Sequence, residues 1–146
     1  MIVPKTAAET LQERINIVEE SYEYCLSYAA RGVGVQTASR DDHGVRESLQ
    51  KEEQALPELA DLFAQLVEER GVSTPERYHA FIDVLRRDSG DALAAIRLVL
   101  AQPGITSQMI DNLNGLIHLR ALLTDAFLID EILRPDATQP PRAATT

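Results

Sequence analysis

Apolar residues recur along most of this chain at alternating spacings of three and four, the period that gathers them on one face of an α-helix. In TAAETLQERINIVEESYEYCLSYAARG (residues 6–32), Leu11, Ile15, Val18, Tyr22, Cys25 or Leu26, and Ala29 draw one seam. Ile17, Tyr24 and Tyr28 form a second stripe, rotated by roughly 120° at ~100° per residue. A helix apolar over more than half its girth needs at least two neighbours, from its own chain or from another subunit. Its start is marked twice, because Thr6-x-x-Glu9 and Thr10-x-x-Glu13 both fit a capping box.

The segment GVGVQTASRDD then lets the chain leave the helix, and its Asp pair suits the next cap. A second helix is predicted from about Asp42 to Arg70, with Val45, Leu49, Leu56, Leu59, Phe63 and Leu66 on one face. Pro57 is expected to bend or divide it, since its ring clashes with the preceding turn and removes a hydrogen bond. GVSTPE supplies a glycine stop, a Thr74 cap and Pro75 at the first helical position. The third helix carries Tyr78, Phe81, Ile82 and Leu85, is expected to break or kink at RDSGD, and resumes with Ala92, Leu93, Ile96, Val99 and Leu100.

The last helix, from about Thr106 to Leu133, is apolar on almost every side. Ile110, Leu113 and Ile117 share one face, and Leu119, Leu122, Ala126, Ile129 and Leu133 another, so it is expected to be the most buried element. RPDATQPPRAATT has no apolar periodicity, which predicts a disordered tail over 134–146. With no strand signal and no repeat, the pattern predicts an all-α protein. Residues 1–133 are expected to form a single domain, an antiparallel up-and-down bundle of four or five helices. A ferritin-like crossover is disfavoured: spanning a ~40 Å helix takes about a dozen extended residues, and GVSTP is too short.

Charge and cysteine content narrow the partners. Across 146 residues, 23 acidic against 14 basic side chains give a formal charge of −9, which disfavours nucleic acid, whose binding relies on Lys and Arg displacing counterions. The single Cys25 cannot close an intramolecular disulfide, and the first residues lack the apolar core of a signal peptide, so a cytoplasmic location is expected. No apolar run approaches the ~18 residues of a membrane span.

Glu76-x-x-His79 has the spacing used by metal-binding bundles, but with Tyr78, Phe81, Ile82 and Leu85 facing inward both residues turn to solvent. A second such motif is missing, so no metal ligands are assigned. Glu52 is different, falling in the inward stripe between Leu49 and Leu56, where a carboxylate needs a partner, a proton or water. Asn114, His118 and Asp125 lie along one polar line of the last helix, and with Glu52 they could line an internal pocket, His118 serving as its partner.

Two functions follow. The first is a non-enzymatic interaction protein, an accessory, regulatory or immunity-type subunit acting as a homo-oligomer or with a protein partner, with Ile17, Tyr24 and Tyr28 as contact residues. The second is a ligand- or metal-binding bundle, a redox enzyme being a special case, with Glu52, Asn114, His118 and Asp125 as its lining. Neither pattern specifies a cofactor.

Overall fold

The computed structural model describes residues 3–134, and the expected tail from Pro135 onward lies outside the described residues. Six helices follow one another: α1 (Ala7–Ala30), α2 (Ala38–Asp41), α3 (His43–Arg70), α4 (Pro75–Leu100), α5 (Ser107–Gly115) and α6 (Ile117–Leu133). Among the described residues there is no strand. The fold is all-α.

α1 packs on α3, α3 on α4 and α4 on α6, while α5 returns to α1 and closes the ring. Cross-helix pairs fix the directions. Arg14 meets Glu58 at 2.6 Å, and seven residues later on α1 Ser21 reaches the Ser48 carbonyl, ten residues earlier on α3, so these helices run antiparallel. Arg86 with Asp61 (2.9 Å) and Arg97 with Glu53 (3.1 Å) give the same relation between α3 and α4. Such exposed ion pairs add little stability and serve here as markers of register. The bundle is up-and-down, with α5 and α6 sharing the place of a fourth helix.

Local chemistry explains most boundaries. Thr6 caps α1 by accepting the Glu9 N–H at 3.1 Å. Gly71, with φ 58°, ends α3 in the left-handed conformation that a side chain would strain. α3 runs through Pro57 undivided; the proline is exposed, so the carbonyl it leaves unbonded can turn to water. α4 also passes unbroken through RDSGD, because its buried face, Leu85, Ser89, Ala92 and Ile96, continues across Gly90 and outweighs the ~1 kcal/mol that glycine costs in a helix.

The last helix is the reverse case. It breaks at Leu116, whose φ of −67° and ψ of 135° are extended, after Asn114 and Gly115, two poor helix formers. The two apolar faces read along it therefore belong to two helices. Ile110 and Leu113 are buried in α5; Leu119, Leu122, Ala126, Ile129 and Leu133 are buried in α6. Ile117 falls just past the break and points outward, 74% exposed. The expectation that this segment is the most buried is corrected for α6, which leaves Ile117, Phe127, Leu128 and Ile132 exposed.

A buried polar knot fastens one end of the bundle. The Tyr28 hydroxyl donates to the Ile105 carbonyl at 2.6 Å; Ser107 Oγ donates to the Tyr28 carbonyl and accepts the Val33 N–H, both at 2.7 Å. Asp42 accepts the Ile105 N–H and an Arg46 N–H, each at 2.9 Å, and Arg46 also donates to the carbonyls of Leu100 and Gln102. Burial would raise the Asp42 carboxyl, but these hydrogen bonds and the guanidinium charge prevail and hold it below its ordinary value. Tyr28 is thus a core residue, and its assignment as a partner contact is corrected: its ring is fully buried and its hydroxyl is spent on Ile105. Tyr28→Phe leaves that carbonyl unpaired and should cost about 1–2 kcal/mol, and Ser107→Ala, which loses two bonds, about 2–3 kcal/mol. Urea denaturation at neutral pH measures both; losses below a few tenths would remove the knot from the account of stability.

Candidate functional site

Glu52 lies on the face of α3 that packs against α1, one turn from Leu49 and one from Leu56. It is 1% exposed, and its Oε1 finds no partner among the described residues. Beside it on α1 stand Ser21, a polar neighbour that draws the carboxyl's pKa down, and Cys25, whose thiol feels its charge. Burial pushes the Glu52 carboxyl up to about 7, with Ser21 pulling the other way. The Cys25 thiol is pushed up to about 12, by burial first and Glu52 second, so it is not a nucleophile at neutral pH.

Asn114 is the second interior polar group, buried near the end of α5 with neither amide atom partnered among the described residues. Ser107 meets Tyr28 where α5 begins, and seven residues along each antiparallel helix bring Asn114 to the height of Ser21. Ser21, Glu52 and Asn114 therefore occupy one level of the bundle. Above Ser21 a cleft of about 280 Å³ opens between α1 and α3, bordered by Ile17, Glu20, Tyr24, Gly44, Glu47 and Lys51. Gly44 leaves room for the Tyr24 hydroxyl, and a Cβ there, 1.9 Å from that oxygen, would push the partly exposed ring aside.

His118 and Asp125 belong elsewhere, which corrects both the continuous polar line and the pairing of His118 with Glu52. The break at Leu116 turns α6 so that these side chains meet α4. His118 Nδ1 lies 3.6 Å from Asp91, and Asp125 stands beside the like charge of Asp88 with its Oδ2 buried and unpartnered among the described residues. Burial first, then the neighbouring Asp88 carboxyl, pushes the Asp125 carboxyl well above its ordinary value. The four pocket candidates thus divide between an interior layer holding Glu52 and Asn114 and the α4–α6 seam holding His118 and Asp125. Among the described residues no group of three or more His, Cys, Asp or Glu side chains is placed to hold a metal ion, and Glu76 and His79 are exposed.

The third feature is a surface. Ile117, Phe127, Leu128 and Ile132 put four large apolar side chains on the outside of α6, with Leu128 50% and Ile132 53% exposed. Next to Ile117, an apolar groove of about 340 Å³ runs between α4 and α5, lined by Leu98, Val99, Met109, Leu113 and Leu116. Of the contact residues assigned on α1, Ile17 is half-buried against the core and Tyr24 partly exposed at the α1–α3 cleft. The apolar excess of the last helix is legible in the sequence, but which of its side chains stay outside depends on the break at Leu116, which the apolar pattern does not mark. Comparisons with family models, curated proteins and solved structures find no match to this chain.

The raised Glu52 carboxyl makes stability depend on pH in a defined direction. With about 7 in the folded state and an ordinary value near 4.5 when unfolded, the fold holds a proton that the unfolded chain releases between these values. The contribution is full below the unfolded value and is lost as pH rises through 7. Glu52→Gln, which cannot ionise, should match the wild type at pH 4 and exceed it by on the order of 3 kcal/mol at pH 8. Chemical denaturation across that range checks it, and a parallel pair of curves would show that Glu52 has an ordinary carboxyl.

Proposed function

We propose that this chain is a non-enzymatic interaction protein, an accessory, regulatory or immunity-type subunit that works by binding itself or another protein through the outer face of α6. The observation carrying this reading is the run of Ile117, Phe127, Leu128 and Ile132 on a helix whose opposite side already fills the core. Surface apolar groups scattered singly need no explanation, but several on one helix, continued by an apolar groove at Leu116, form the kind of patch that partners cover. The formal charge of −9 favours a protein partner over nucleic acid. A buried thiol with no disulfide partner suits a reducing cytoplasm. Among the described residues no helix is long and apolar enough to cross a membrane.

Copurification from the native source with tagged full-length chain tests the reading. Leu128→Asp on α6 should abolish capture of the bound protein, while Leu26→Asp, an equally exposed leucine on α1, should leave it unchanged. Equal capture by both variants would refute the assignment of this face.

A second reading rests on the interior layer: Glu52 and Asn114 together present three buried polar atoms without partners, where folded proteins pair nearly all of theirs. A small polar molecule held between α1, α3 and α5 would satisfy them. Native mass spectrometry of protein purified without chelators should then show a bound mass that Glu52→Gln loses, and an unliganded mass in the wild type would remove this reading.

A further inference from the structure

The outer face of α6 has a pattern that turning the helix end for end preserves. At ~100° per residue, Ile117, Ala121, Thr124 and Leu128 fall within about 60° of arc, directly opposite the buried Leu119, Leu122, Ala126 and Leu133. Ile132 borders this line on one side; Arg120, Phe127 and Glu131 border it on the other. Rotation by half a turn about the Thr124–Asp125 peptide exchanges Ile117 with Ile132 and Ala121 with Leu128. Each large side chain then meets either another apolar group or a small one.

The charges agree with the same operation. Arg120 and Glu131 are both exposed, and among the described residues neither forms an ion pair. A two-fold axis perpendicular to two antiparallel helices keeps each flank on its own side. Arg120 of one copy and Glu131 of the other therefore share a flank, about 3 Å apart along the axis at ~1.5 Å per residue. Symmetry makes the pair twice. At the centre, the Thr124 hydroxyl already donates to the Arg120 carbonyl of its own helix at 2.9 Å, so it can be covered without losing a hydrogen bond to water.

We infer that the partner of this face is a second copy of the chain, docked α6 against α6 in antiparallel orientation about Thr124, with reciprocal Arg120–Glu131 pairs. This rests on the interaction reading and adds the identity and register of the partner. A contact built on one helix of 17 residues lies at the small end of stable interfaces, so the dimer should be weak, roughly micromolar.

Oxidative crosslinking of full-length single-cysteine variants tests the register, and the buried Cys25 stays out of the reaction. Thr124→Cys should give a covalent dimer, Ile117→Cys alone should not, and an equimolar mixture of Ile117→Cys with Ile132→Cys should. In sedimentation, Arg120→Glu should weaken the dimer about tenfold, and Arg120→Glu with Glu131→Arg should restore it. A dimer in which Ile117→Cys crosslinks to itself, or in which the double swap fails to restore association, overturns the antiparallel register. A wild type that sediments as a monomer at ~100 µM, well above a micromolar constant, overturns the second copy. In that case, capture of a different protein that Leu128→Asp abolishes would leave the broader reading standing.

Discussion

The bundle depends on the buried hydrogen bonds that tie the segment after α1 to the segment before α5. Tyr28, Ser107, Asp42 and Arg46 satisfy one another and the loop backbone around them, so Val33 and Ile105, buried within two otherwise largely exposed loops, have both their amide and carbonyl groups paired. Apolar burial supplies most of the favourable free energy of such a fold, but it is nondirectional and does not choose a register. The knot does. It sets the height of α5 against α1, and that height brings Asn114 level with Ser21 and Glu52.

The contrast between this knot and the layer below it separates architecture from function. At the knot the named donors have acceptors, and the Asp42 carboxyl stays ionised because a guanidinium and an amide hold it. One level away, Glu52 and Asn114 are equally buried and incompletely paired. Unsatisfied polar groups weaken a fold, and leucine in their places would not. Their presence supports a role beyond packing, as does the α6 face, where apolar side chains are left in water.

Much of this was legible in the chain. The period of three and four placed α1, α3 and α4 with small boundary errors, and the inward phase of α3 located Glu52. Errors arose where a polar residue occupied a core position or a helix stopped without a strong signal. The true seam of α1 runs Leu11, Ile15, Val18, Ser21, Cys25 and Tyr28. Because Ser21 looks like a surface residue, the apolar pattern favours a seam through Tyr22, which places Tyr28 on an outer stripe. On the last helix, Asn114 and Gly115 are weak breakers with no proline behind them. Reading through them merged two faces, concealed the exposed side of α6 and aligned His118 with Asn114. Both errors follow from tertiary packing overriding local pattern.

The extended residue at Leu116 has a mechanical consequence. α5 is fastened to α1 through Ser107, whereas α6 is held mainly by α4, with Arg70 of α3 donating to the Leu133 carbonyl at its far end. Local opening follows the weakest boundary between cooperative units. Here that boundary lies between two segments of what would otherwise be one rod, so opening of α6 requires its seam with α4 and the Arg70 tie to part but leaves the loop junction closed.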